Sequence, residues 1–323
     1  MPELPEVETI RRQLAPLVEG RRIEEIEIDD PRWSRPLTPA ELEDALRGRR
    51  VERLRRRGKY LVWDLEDDVH LAQHLRMTGA VLADPDPEPD HARVRIDLAQ
   101  RRKGGRPVRL VIDDPRRFGT GELLLGSEAL ENFLDARLGL EPFDEAFTGA
   151  HLREVLRGRR APIKSALLDQ RRVAGVGNIY ADEALFRAGI HPLRAAGSLT
   201  AAEAERLRDG IRAALEAGID AHGASIDDFR DIEGVKGSFQ ERFLVHRREG
   251  EPCPQCGGTI KRIVVGGRGT YVCERCQPRP RGARRAASRT PNRPNRETAA
   301  PRQSPNRPAA PPSARPGRRR ATR

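Results

Sequence analysis

The chain has 323 residues, enough for two or three domains with sizeable cores, and a formal net charge of +11. Residues 278–323 hold 14 arginines and one acid, Glu297, a net of +13, so residues 1–277 sum to −2; a global field of positive charge is excluded for the body, and any nucleic-acid site there must be a local patch of Lys and Arg. No apolar run is long enough to cross a membrane and no signal-peptide pattern opens the chain, so a cytoplasmic location is expected.

The chain opens Met1-Pro2-Glu3-Leu4-Pro5-Glu6. Removal of Met1 would leave the secondary amine of Pro2, and an α-amine with a pKa of about 7.7–8.0 is partly unprotonated at neutral pH. Such an amine can attack an electrophilic carbon and form an iminium, with Glu3 as the adjacent proton donor or acceptor. A plain helix start explains the same residues: Pro5 suits a first helical position, and Glu3, Glu6 and Glu8 complement the helix dipole.

Residues 5–18 read as an amphipathic helix. Strand-like alternation follows at Ile23–Ile28, Val51–Leu54, Tyr60–Leu65, Val69–Leu75, Val94–Leu98, Val108–Ile112 and Glu122–Leu125. Short strands separated by Gly, Pro and Asp turns predict a β-sandwich or barrel, and the acidic, proline-rich Asp84–Asp90 reads as a loop. From about residue 130 the period turns helical, at Leu130–Leu138, His151–Leu156, Ile163–Leu168, Ile179–Ala188 and Ala201–Ala217. An α+β chain is expected, with a catalytic β-sandwich domain over 1–130, a helical domain over 131–245, a cysteine module over 246–277 and a tail over 278–323 too polar to fold.

Gly175-Val176-Gly177-Asn178 precedes the helix at 179. With Asn178 as N-cap, its free backbone N–H groups would suit a phosphate; an ordinary cap is the plainer alternative. Lys164, Arg159 and Arg160 add positive charge upstream, and two helices joined by this turn resemble a helix–two-turns–helix DNA module. Cys253-x2-Cys256 and Cys273-x2-Cys276, 16 residues apart, have the spacing of a four-cysteine zinc ribbon. All four positions are filled by protein, so the expected zinc ion is structural. Between the knuckles, Lys261–Val272 reads as a hairpin whose Gly-rich turn brings Arg268 to a phosphate or groove, or leaves it a solvated turn charge.

The strings MPELPEVET, RGKYL (57–61), HLRMTG (74–79), DPRRFG (114–119), GVGNIYADE (175–183), GEPCPQCG (250–257) and GRGTYVCERCQ (267–277) occur in this order. Over residues 1–277 the chain resembles the bacterial formamidopyrimidine-DNA glycosylases. The resemblance implies a β-sandwich, a helix–two-turns–helix domain and a zinc hairpin, with double-stranded DNA carrying oxidised bases or abasic sites bound in the cleft between them. It implies a monomer that excises oxidised purines (8-oxoguanine and formamidopyrimidines) and then cleaves the abasic site by β,δ-elimination through a Pro2 Schiff base, with no redox cofactor.

Residue by residue, the resemblance gives Pro2 as nucleophile, Glu3 as proton donor to the deoxyribose ring oxygen, Glu6 as organiser and Lys59 as an active-site lysine; alone, Lys59 reads as a strand-edge lysine. His74, Asn178 and Arg268 match residues that grip phosphates, and His91, Arg116 and Arg159 match further DNA contacts. Met77, Arg116 and Phe118 match the trio that fills the hole left by an everted base, a hole costing a few kcal/mol to open. Without the resemblance Phe118 reads as core and Met77 as a gap-filler. Two departures stand out: Arg76 replaces the family's usual glycine in HLGMSG, and His246-Arg247 replaces its usual Tyr-Gly. The alternatives are an endonuclease VIII-like enzyme for oxidised pyrimidines and a catalytically inactive DNA-binding homologue; LPE at 4–6, DPRRFG and Met77 favour the purine enzyme, and Pro2, Glu3 and Lys59 favour an active one.

The tail should bind phosphates without sequence preference. Deleting residues 278–323 is expected to flatten the dependence of log affinity on log salt for undamaged duplex, by about 0.9 per phosphate released. Single-turnover base excision should stay nearly unchanged. Fluorescence anisotropy at several salt concentrations reads the slope, and equal slopes would leave the tail a passive extension.

Overall fold

The computed structural model describes residues 2–101, 104–226 and 229–281, so the expected tail lies outside the described residues from 282 onward. Two four-stranded antiparallel sheets form the N-terminal half. With β1 Ile23–Ile28, β2 Val51–Arg57, β3 Tyr60–Leu65, β4 Val69–His74, β5 Ala80–Ala83, β6 Ala92–Leu98, β7 Val108–Asp113 and β8 Thr120–Leu125, their orders are β1-β6-β7-β5 and β2-β3-β4-β8. Strand β6, ARVRIDL, alternates buried and half-buried residues as its sequence predicts. The core holds Ile26, Trp63, Leu71, Val94, Ile96 and Leu110 from both sheets.

Helix α1, Leu4–Val18, joins two cores. Its Val7, Ile10, Leu14 and Val18 pack into the sandwich, while Leu4 belongs to the helical core with Tyr180, Leu185 and Ile211. The first residues of the chain are thereby fixed at the junction of the two halves. Helix α2, Pro39–Leu46, and strand β5 are additions to the elements that periodicity predicts. Thr38 caps α2 by accepting from Glu41 N, and Glu41 returns to Thr38 N, a capping box readable in Thr38-x-x-Glu41.

The helical half comprises α3 Ser127–Asp135, α4 Gly149–Leu156, α5 Ile163–Leu167, α6 Asn178–Ala188 and α7 Ala201–Asp220. Two fully buried acids on α6 organise what surrounds it. The Glu183 carboxylate accepts from the backbone N–H groups of Leu244, Val245 and His246, each at 3.0 Å, and from Arg187 at 3.1 Å. Asp182 pairs with Lys164 at 2.7 Å and His246 Nδ1 at 2.8 Å. Beyond it, β9 Lys261–Val265 and β10 Arg268–Val272 form the expected hairpin, turning through Gly266 and Gly267 at φ +56° and +76°. The hairpin module docks on α6 through Phe186, Val245 and Ile260, and through Gln277, which donates to Ile190 O and accepts from Cys273 N.

Removing Glu183 leaves buried donors without an acceptor. Glu183→Ala is expected to destabilise the chain by roughly 3 kcal/mol or more. Thermal denaturation should show Tm lower by roughly 6 °C or more.

Candidate nucleic-acid interface and active site

Pro2 and Glu3 are buried where α1 meets α6. Glu3 N donates to Glu6 Oε2 at 2.8 Å, Leu4 N to Gly175 O at 3.0 Å, and the Glu3 carboxylate accepts from Ile179 N at 3.0 Å and Tyr180 N at 3.4 Å. A carboxylate thus occupies the electropositive N-terminus of α6. The residues around it are small of necessity. A Cβ on Gly177 would lie 2.3 Å from Glu3 Cδ, and one on Gly175, itself at φ +83°, would lie 2.5 Å from Leu4 Cδ1. The segment 175–178 reads from sequence as a phosphate cradle; instead Gly177 is the N-cap, Asn178 is the first helical residue, and Glu3 takes those N–H groups.

Glu6 is buried behind Glu3. It accepts from Tyr180 OH at 2.7 Å and Ala224 N at 2.8 Å as well as Glu3 N, and burial, followed by the Glu3 charge, raises its pKa. Lys59, in the β2–β3 turn after Gly58 (φ +58°), is buried and its pKa is lowered by desolvation, against the pull of Glu3 and Glu6.

Two cavities open here. One of about 240 Å³ is lined by Glu3, Met77, Asn178, His246, Arg247 and Arg268 among others. The second, of about 550 Å³, is lined by Lys59, His74, Arg76, Met77, Phe118 and Arg268 among others. Met77 and Arg268 line both. Met77 is 41% exposed and Phe118 48%, so neither is core, and the Arg116 guanidinium lies 4.8 Å from the Phe118 ring centre. Sequence reasoning missed what holds this trio. Buried Asp114 accepts from the backbone N–H groups of Arg116, Phe118 and Gly119 and from Thr78 Oγ1 at 2.6 Å, tying the 76–79 turn to the 114–119 turn. The signal was present in the Asp that opens DPRRFG.

His74 is buried against Tyr60, and its Nδ1 accepts from Arg76 N at 2.9 Å, leaving the proton on Nε2. Burial first, then the charges of Arg76 and Lys59, lowers its pKa to about 3, so at neutral pH it offers a donor without a charge.

Lys164 departs from expectation. The sequence places it with the positive DNA-facing surface, but it is fully buried, paired with Asp182, and donates to Thr270 Oγ1 at 2.8 Å and Gly269 O at 3.1 Å. Asn178 Nδ2 donates to the same Gly269 carbonyl at 3.2 Å, so both residues hold the hairpin that presents Arg268. His91 and Arg159 are exposed and, like Arg116, are not in the lining of either cavity.

Cys253, Cys256, Cys273 and Cys276 bring their sulfurs within 4.8 Å of one another, with 253–276 at 3.8 Å and 256–273 at 3.5 Å. Tetrahedral thiolates at about 2.3 Å from a metal lie about 3.8 Å apart, so the set fits zinc.

Residues 1–121 match the formamidopyrimidine-DNA glycosylase N-terminal domain, 138–230 the H2TH domain of the same enzymes, and 250–279 the zinc finger found in FPG and IleRS. A formamidopyrimidine-DNA glycosylase of Paracoccus denitrificans is 46% identical over 283 residues, covering 86% of this chain and all of the relative. The chain belongs to the formamidopyrimidine-DNA glycosylase family. The crystal structure of MutM (Fpg) from Thermus thermophilus is similar at a TM-score of 0.75 and 43% identity, covering 85% of this chain and 98% of that one. Lactococcus lactis Fpg in complex with abasic-site DNA is similar at 0.78 and 37%, covering 86% and 100%. As in the family, the four cysteines hold one structural zinc ion, and the fold is α+β with sheets, an H2TH region and a zinc hairpin. Among the described residues no helix is long and apolar enough to cross a membrane.

His74 carries a pH signature. Its folded pKa lies below the unfolded value of about 6.5, so between pH 6.5 and about 3 the unfolded chain binds the extra proton and stability falls as pH falls. His74→Gln is expected to flatten this acid limb. Urea denaturation at pH 7 and pH 5 measures it: the wild type should lose more stability over that interval than the variant.

Proposed function

We propose that this chain excises oxidised purines from duplex DNA and cleaves the abasic site that results, with Pro2 as nucleophile and Glu3 as proton donor. The observation that carries the reading is the seating of Glu3 on the N-terminus of α6, in the wall of a cavity shared with Met77, Asn178 and Arg268. The carboxylate is held by backbone N–H groups, so its position does not depend on side-chain rotamers elsewhere.

The lone pair of the Pro2 amine, free once Met1 is removed, attacks C1′ of the everted nucleotide. The bond from C1′ to the base breaks, and the base leaves with its electron pair and is protonated by solvent. The Glu3 carboxylate takes the proton that the Pro2 nitrogen loses and delivers it to the ring oxygen as the C1′–O bond breaks and the sugar opens, and the C1′–N iminium becomes the electron sink. Loss of a C2′ proton then expels the 3′ phosphate, and a second elimination expels the 5′ phosphate. Lys59, with its lowered pKa, is suited to phosphate contact and to relaying these protons. Glu6 fixes the Glu3 backbone and Tyr180 together. Met77, Phe118 and Arg116 fill the hole in the duplex, the first two by stacking and the guanidinium by hydrogen bonding to the orphaned base. Two of the three are exposed apolar side chains, which a core role would not leave in solvent. His74, Asn178 and Arg268 grip phosphates, and His91 and Arg159 contact the flanking duplex. The enzyme works as a monomer in the bacterial cytoplasm, and the zinc ion serves the hairpin.

Borohydride added to the protein and a duplex with one 8-oxoguanine should trap a covalent adduct that peptide mapping places on Pro2. Glu3→Gln should lower excision ~10²–10⁴-fold with lesion-DNA binding retained. An adduct on an internal lysine, or excision by Glu3→Gln within about threefold of wild type, well outside that range, would overturn the assignment.

A further inference from the structure

Tyr180 is fully buried on α6, with its ring stacked on Phe239 at 5.2 Å between centroids. A phenylalanine would make the same stack, so packing does not call for the hydroxyl. The fold nonetheless makes room for it, because a Cβ on Gly218 of α7 would collide with that oxygen. A buried hydroxyl needs a partner, and this one donates to Glu6 Oε1 at 2.7 Å.

Three donors converge on Glu6. Its Oε1 accepts from Tyr180 OH and from Ala224 N at 2.8 Å, and its Oε2 accepts from Glu3 N at 2.8 Å. Only the ionised carboxylate suits this arrangement, because a proton on either oxygen would oppose an N–H or an O–H. The surroundings disfavour that charge. Burial first, then the neighbouring Glu3 carboxylate, raises the Glu6 pKa against the pull of the three hydrogen bonds. Lys59, the cation that feels Glu6, has its own pKa lowered by burial. Among the described residues Tyr180 is the one side chain that donates to Glu6. Burial, then the Glu6 charge, raises the Tyr180 pKa well above its ordinary value, so the phenol stays a donor.

We propose that Tyr180 is a positioning residue for base excision: its hydroxyl keeps Glu6 in the carboxylate form, and Glu6 in that form holds the Glu3 and Ala224 amides together. The inference rests on the DNA glycosylase reading above. The Glu3 nitrogen belongs to the peptide that joins the nucleophile to the acid, and Ala224 lines the same cavity as Glu3. A proton on Glu6 would break one of these two ties and loosen either the start of the chain or the cavity wall. Tyr180 touches no substrate in this scheme. It acts through Glu6, and its effect grows as falling pH makes protonation of Glu6 easier.

The test uses the full chain and a duplex with one 8-oxoguanine, and reads single-turnover excision at pH 8 and pH 6. Titration of the Pro2 amine is common to wild type and variants, so it cancels in a ratio of rates. Tyr180→Phe should run close to wild type at pH 8 and roughly tenfold slower at pH 6, the effect of losing a hydrogen bond to a charged group. Glu6→Gln cannot accept at both ends of its side chain and should be slow at both pH values. Adding Tyr180→Phe to Glu6→Gln should cost the same at each pH, because an amide does not titrate. A ratio of Tyr180→Phe to wild type that is equal at the two pH values would make the hydroxyl a packing group and overturn the proposal. So would a pH dependence that persists in the Glu6→Gln background, or a Glu6→Gln chain that excises at the wild-type rate. Wild-type protein that excises no 8-oxoguanine would instead overturn the glycosylase reading and this inference with it.

Discussion

The seat of Glu3 on the N-terminus of α6 is the contact from which the rest of the site is built. A helix end offers several N–H groups without partners and a partial positive charge. Here a carboxylate from the start of the chain fills that place, and Gly177 against Glu3 and Gly175 against Leu4 leave the room for it. The same contact sets the start of α1 and brings Glu6 to Tyr180. One geometric constraint thereby orders Glu3, Glu6 and Tyr180 together.

Helix α6 also reaches outward. Asp182 holds Lys164 and His246, Glu183 holds the 244–246 backbone, and Phe186 anchors the zinc module. The hairpin carrying Arg268 is therefore positioned by buried charge as well as by metal. The ion pair of Lys164 and Asp182 costs desolvation, and removing Asp182 strands Lys164 as a buried charge without its carboxylate. Such a network favours one placement of the hairpin over near alternatives.

Much of this was legible in the residues. Alternating strands such as β6 and the change to a helical period near residue 130 gave the two halves, and cysteine spacing gave the zinc site. Strand β5 was not legible, since Ala80–Ala83 is four residues long and does not alternate. Helix α2 was legible through Thr38 and Glu41 but too short for its period to show. The site was harder. A lysine among arginines reads as surface charge, and only the fold reveals that Asp182 waits inside for Lys164. The glycines at 175 and 177 signal close approach, but the sequence does not say whether a phosphate or a carboxylate approaches. The tie from Asp114 to Thr78 joins turns 36 residues apart, beyond any local pattern.

The bond between Glu3 and Ile179 spans 176 positions. During synthesis the first residues leave the ribosome long before α6 exists. The sandwich can assemble around Val7 to Val18, but Leu4 and Glu3 have no seat until residues 175–188 have emerged, and the Arg268 wall comes later still. Competence is thus the last property the growing chain acquires. No N-terminal fragment, however well folded, can give Glu3 and Leu4 the seat that residues 175–179 provide.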